Sequence, residues 1–144
     1  MSTCIALDAM GGDPDPSGQH AEPYEKVVAA SHIALTTYPD IRFILVGQED
    51  KLRPALAMLP ENLQQRIEIE HAADCISMDE APVKALRQGR KSSMWGAIKL
   101  VQEGRANACV SAGNTGALMV IAKYLLKTLP GIDRPAITSP MPNS

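Results

Sequence analysis

The sequence predicts an α/β domain, a three-layer αβα arrangement around a mostly parallel sheet. Three observations carry this expectation. Short apolar runs alternate with longer stretches whose apolar residues recur every three or four positions, the alternation that a parallel sheet with right-handed crossovers requires. Two of the apolar runs end in glycine-bracketed polar turns at the point where a helix would begin. Aromatic residues make up only 3% of the chain, so the core is left to Ala, Val, Ile, Leu and Met.

In chain order, Cys4-Ile5-Ala6-Leu7 places a strand over 3–8, and a helix follows near 23–37. Ile41-Arg42-Phe43-Ile44-Leu45-Val46 is the clearest strand, being β-branched and apolar and stopping at Gly47. A helix near 50–59 must begin close before Pro54, because proline fits a first turn and breaks an interior. A third strand spans 66–71. Two helices come next, near 79–88 and 92–103, with Gly89 breaking the first and moving Lys91 into the following element. Ser92 or Ser93 caps the second of them, Trp95, Ile98 and Val101 form its apolar side, and Gly104 fits its end. The last pair is a strand over 107–111 and a helix over 115–129, whose face is Leu118, Ile121, Leu125, Leu126 and Leu129. The final residues, 138–144, begin as a strand might and then dissolve into prolines.

At 144 residues with 45% hydrophobic content, the chain is enough for a single domain over 1–144 with a real core. A net charge of −2 argues against generic nucleic-acid binding. The charge is uneven, however. Residues 84–105 hold Lys84, Arg87, Arg90, Lys91, Lys99 and Arg105 against Glu103 alone, a surface for an acidic partner or simply a solvated face. Cys4, Cys75 and Cys109 are odd in number and far apart, which suggests neither disulfides nor a zinc site and points to a cytoplasmic location. No stretch approaches the roughly 20 apolar residues of a membrane span, and no signal peptide opens the chain.

Two strand-to-helix junctions carry the chemistry. In Val110-Ser111-Ala112-Gly113-Asn114-Thr115-Gly116-Ala117-Leu118, side-chain oxygens of Asn114 and Thr115 stand where they can cap free amides. Helix N-terminal N–H groups and the helix dipole favour a bound anion, and Gly113 and Gly116 allow close backbone approach. Asp8-Ala9-Met10-Gly11-Gly12-Asp13 ends the first strand in the same way, and in an open parallel sheet both loops lie on one edge. Asp8 and Asp13 could bind metal, orient a cation or tie down the Gly11-Gly12 turn; the last is the commoner role of such residues. Lys91-Ser92-Ser93 sets a cation and two hydroxyls at a helix start, which suits phosphate and equally suits an ordinary cap. Asp13-Pro14-Asp15-Pro16-Ser17-Gly18 imitates a calcium loop, but Tyr24 stands where a bidentate glutamate is needed. Neither glycine loop is a dinucleotide fingerprint. Ser111 lacks the G-x-S-x-G elbow, and His20, His32 and His71 fall outside the motifs, so each reads as a surface or packing residue.

The segments Asp8 to Asp13, Lys91-Ser92-Ser93-Met94 and Val110 to Met119 resemble, in order and spacing, three signatures of the bacterial phosphate acyltransferase family, PlsX. Met78-Asp79-Glu80-Ala81-Pro82 and Pro130-Gly131-Ile132-Asp133-Arg134-Pro135-Ala136 are also similar, so the resemblance covers most of residues 1–140. It implies an isocitrate dehydrogenase-like architecture, of which this chain would be the N-terminal part. It implies transfer of a fatty acyl group from acyl carrier protein to inorganic phosphate, giving acyl phosphate for phospholipid synthesis. No metal or organic cofactor is implied. A homodimer is, for the full-length protein, and peripheral membrane association is compatible with the resemblance.

By the same resemblance Lys91, Asn114 and Thr115 are the catalytic side chains. Phosphate and substrate contacts fall to Asp8, Gly11, Gly12, Asp13, Ser92, Ser93, Ser111, Gly113 and Gly116, and carrier-protein docking to Lys84, Arg87 and Arg90. Bound phosphate itself supplies the nucleophile, so the protein need provide only proximity, orientation and stabilisation of the developing oxyanion. The chain departs from the family pattern in three places. Trp95 stands where an arginine is usual, the stretch after Gly12-Asp13 is several residues longer, and the tail after Ala136 is unlike the family's continuation. Two other readings stand beside this one: a non-catalytic fragment that keeps the fold, and a nucleotide-binding domain of an oxidoreductase.

Overall fold

A computed structural model describes residues 2–18 and 22–143. Among these described residues four strands form, β1 (Thr3–Asp8), β2 (Ile41–Gly47), β3 (Ile67–His71) and β4 (Ala108–Val110). They make one parallel sheet in the order β3-β2-β1-β4, with Ala6 opposite Ile44 on one side and Cys109 on the other. Six α-helices accompany them: α1 (Pro23–Thr37), α2 (Glu49–Ala57), α3 (Glu61–Gln64), α4 (Pro82–Gln88), α5 (Ser93–Gln102) and α6 (Thr115–Leu126). A 3-10 turn, Gly89–Lys91, joins α4 to α5. The αβα class expected from the alternation is therefore the class observed.

Side chains on a strand alternate between the two faces, and the core follows that rule. Cys4, Ala6, Ile44 and Val46 pack beneath Ala97 and Leu100 of α5. Phe43 and Leu45 point the other way, against Val28 and Leu35 of α1 and Leu52 and Leu56 of α2. A third cluster joins Met94, Trp95 and Ile98 of α5 to Ala117 and Ile121 of α6. Arg66 staples one end of the sheet, donating to the carbonyls of Leu35, Tyr38 and Ile41.

The route of the chain decides where ligands belong. From β1 it steps through α1 to β2 and through α2 and α3 to β3, then returns past both strands to place β4 on the far side of β1. Strand order thus reverses between β1 and β4. In open α/β sheets the ligand crevice lies outside the carboxyl ends of the strands at such a switch point. Asp8 ends β1 and Ser111 follows β4, so both glycine-bracketed turns meet there.

Element ends differ from the sequence reading where proline or short length intervenes. The helix expected to 129 stops at Leu126, where Lys127 takes a non-helical φ of 66°, and Pro130 bars its resumption further on. Expected from 79, α4 starts instead at Pro82, which occupies its first position. Four-residue α3 was invisible to a periodicity argument. Pro54 is the sixth residue of α2, further in than the first turn. Among the described residues no helix is long and apolar enough to cross a membrane.

Candidate anion site at the strand ends

Asp8 is the centre of the crevice. It is 2% exposed. Its Oδ1 accepts from the amides of Met10 (3.3 Å) and Gly11 (3.1 Å) and from the Ser93 hydroxyl (2.5 Å), while Oδ2 accepts from the Ser111 hydroxyl (2.6 Å). The loop-tying role expected for Asp8 in the Gly11-Gly12 turn is what the geometry contains, and it extends to two further segments. Ser93 and Ser111 spend their protons on this carboxylate. Ser111 Oγ also accepts from the Gly113 amide at 3.0 Å. Asp13 lies apart: it is exposed, and its backbone carbonyl accepts from Lys26 Nζ at 2.6 Å.

The glycines permit contact between loops. A Cβ on Gly11 would stand 2.4 Å from Asp8 Oδ2 and 3.2 Å from Gly113 Cα, so the two turns touch backbone to backbone above the carboxylate. Gly12 has a φ of 122°, a conformation open to glycine and costly to other residues. At Gly116 the space is closed by Pro82, 2.8 Å from a would-be Cβ. Gly116 therefore serves the packing of α6 on α4.

Asn114 caps α6, its Oδ1 accepting from the Ala117 amide at 3.0 Å, as the junction led us to expect. Its Nδ2 does more than a cap requires, donating to the carbonyls of Ser77, Met78 and Glu80 at 3.2, 3.1 and 2.8 Å. Every polar atom of the Asn114 side chain is thus committed within the protein. Among the described residues the first two helical amides, of Thr115 and Gly116, meet no protein acceptor, and the Thr115 side chain is exposed. These N–H groups sit at the positive end of a twelve-residue helix, next to the switch-point crevice.

Ser92 caps α5, accepting from the Trp95 amide at 3.2 Å and donating to the Gly89 carbonyl at 2.6 Å. Lys91 is exposed in the 3-10 turn before α5. It lines a 320 Å³ groove on the β3 side of α5, together with Arg90, Lys99, Glu70, His71 and Glu103. The basic cluster is also thinner in space than in sequence. Lys84 pairs with Glu80, Lys99 with Glu103, and Arg105 with Glu68 and Glu70, which raise the guanidinium's pKa. That leaves Arg87, Arg90 and Lys91 without an ion pair among the described residues. Arg90 lies over the ring of Trp95, 5.9 Å from its centroid, and the indole packs against Tyr124 in the α5–α6 core.

The remaining candidates stand away from the crevice. His32 is exposed, His71 accepts from the Glu49 amide at the start of α2, and His20 lies outside the described residues. Among those residues no group of three or more His, Cys, Asp or Glu side chains could hold a metal. Cys109, half-buried on β4, has its thiol pKa raised by burial and then by the negative charge of Asp8. What the sequence reading missed is the grip of Asn114 on the 77–80 loop and the Ser93–Asp8–Ser111 bridge. A polar residue just after each of two neighbouring strands was the available signal.

A family model described as "Fatty acid synthesis protein" matches residues 3–144. The chain belongs to this family. Among curated relatives, a protein named phosphate acyltransferase from Coxiella burnetii (strain RSA 493 / Nine Mile phase I) is 51% identical over 146 residues, covering 99% of this chain and 39% of the relative. Namesakes from Methylococcus capsulatus (50% identical, 98% of this chain and 39% of the relative) and Legionella pneumophila (51%, 96% and 38%) are similar to it as well. The chain spans about two fifths of the length of these relatives. In the fatty acid synthesis protein family the match runs to residue 144, past Ala136, where the sequence reading ended the resemblance. The proline-rich tail is therefore a family segment.

Proposed function

We propose that this chain carries the phosphate-binding part of a phosphate acyltransferase, an enzyme that moves a fatty acyl group from acyl carrier protein to inorganic phosphate. The observation that carries the reading is the pair of unclaimed amides, Thr115 and Gly116, at a helix start on the switch point of the sheet. Phosphate held there by two N–H groups and the helix dipole presents an oxygen to the thioester carbonyl, and the thiol of the carrier leaves as acyl phosphate forms. The Thr115 hydroxyl adds a donor at the mouth. Asn114 contributes by fixing the helix start, and Lys91, exposed in the 3-10 turn before α5, is the cation available to the incoming substrate. Arg87 and Arg90, with Lys84 beside them, offer the acidic carrier a docking surface. In the full-length protein we expect a homodimer.

Hydroxylamine trapping tests this directly, with acyl-carrier thioester and phosphate as substrates. This chain alone should give little hydroxamate. A chimera in which it replaces the matching part of the Coxiella burnetii relative should give phosphate-dependent hydroxamate within about tenfold of that relative, a barrier difference of roughly 1.4 kcal/mol. A chimera that folds, binds the carrier and yields no acyl phosphate would sink the reading.

A further inference from the structure

The Asp8 carboxylate is buried, charged and without a cation among the described residues; four neutral donors satisfy it. Three of these donors crowd Oδ1 and one, Ser111, holds Oδ2, so the carboxylate is engaged on both oxygens by the loops it joins. A buried charge of this kind is tolerated only while its donors are all in place. The donors come from segments 85 and 103 residues away in sequence as well as from its own turn. Through Ser111 the constraint reaches Gly113, whose amide is consumed at 3.0 Å, and the helix-start amides of Thr115 and Gly116, which follow closely, have no protein acceptor among the described residues.

We propose that Asp8 is the positioning residue of the anion site, acting through Ser93 and Ser111 to lock the turns after β1 and β4 so that the Thr115 and Gly116 amides form one subsite. This rests on the phosphate reading above and gives Asp8 a role distinct from contact with phosphate. The sign of one substitution separates the alternatives. By Coulomb's law alone, removing a negative charge close to an anion site strengthens anion binding. Loss of positioning weakens it.

The test is a titration of inorganic phosphate into the 144-residue chain and its Asp8→Asn and Ser111→Ala variants, followed by the amide resonances of residues 111–117, with amide hydrogen exchange measured in parallel. Asp8→Asn should weaken binding at least tenfold, and Ser111→Ala, which keeps the charge, by several fold. Exchange at Gly11 and Gly113 should quicken together in both variants, although they lie on different loops. Should Asp8→Asn fail to fold, Ser111→Ala and Ser93→Ala decide by the same two readouts. Wild-type binding with unchanged or tighter affinity in the variants overturns the positioning role and leaves the phosphate site standing. Absence of wild-type binding overturns the site itself and this role with it.

Discussion

At the scale of single residues, the strand-end Asp8 and the helix cap Asn114 do different kinds of work. Asp8 only accepts, and Asn114 does both, closing α6 through Oδ1 and gripping the 77–80 loop through Nδ2. Asn114→Asp keeps the acceptor but puts a second oxygen against three carbonyls. It should destabilise the chain by about 2 kcal/mol or more, since a buried acceptor left facing acceptors loses its partners outright. Chemical denaturation of both proteins checks this, and a change below about 0.5 kcal/mol contradicts it. The cysteines give a pH prediction. Cys109 has a raised thiol pKa, so its contribution to stability is present below the ordinary thiol value and lost as pH rises through the higher, folded one. Iodoacetamide should therefore label exposed Cys75 first, with Cys109 lagging even at mildly alkaline pH. Equal rates measured by peptide mass mapping would contradict the burial and charge assigned to it. The cap at Asn114 was legible from sequence, because polar residues before an apolar helix have one common use. Its hold on the 77–80 loop was not, since nothing local marks a contact across 34 to 37 residues.

Elements were legible where an apolar period ran long enough to show. β2 and α5 lie within a residue of where their patterns place them, Ser92 capping α5 and Gly104 following it with a φ of 73°. Ends near proline were less so: α6 stops at Leu126, short of Pro130, and α4 starts only at Pro82. Pro54 is the local conflict that the fold tolerates. It lies past the first turn of α2, exposed, where it removes a helical hydrogen bond to the Asp50 carbonyl. Pro54→Ala should raise stability by about 1 kcal/mol, the helical gain being partly offset by the freer unfolded chain. A thermal midpoint lowered by the substitution would show that the ring packs in a way the helix needs.

For the whole molecule, the reversal of strand order between β1 and β4 brings three distant motifs to one crevice. The alternation of elements announced a parallel sheet, and the general rule for such sheets put both loops on one edge. Strand order itself was not legible, because neither composition nor period tells which side of β1 the last strand joins. Nor was the setting of Lys91, which the 3-10 turn before α5 places in a groove with Glu70 and His71. The basic stretch shows the same limit: a sequence excess of positive charge shrinks once Glu68, Glu70, Glu80 and Glu103 are folded against it.

The central claim is that the α6 start binds phosphate through backbone amides, and Thr115→Pro addresses it with least collateral change. Proline is favoured at the first helical position, and Asn114 already holds the extended φ and ψ (−61°, 112°) that a following proline prefers. The substitution deletes one of the two unclaimed N–H groups together with the Thr115 hydroxyl and leaves the helix, and Thr115→Ala, which removes the hydroxyl alone, is its reference. Inorganic phosphate titrated into the wild-type chain should bind saturably and shift the amides of Thr115 and Gly116. In Thr115→Pro the affinity should fall about tenfold or more below that of Thr115→Ala, the loss of one hydrogen bond to a charged acceptor. Equal affinity in Thr115→Pro and Thr115→Ala, or wild-type shifts confined to other segments, would contradict the account.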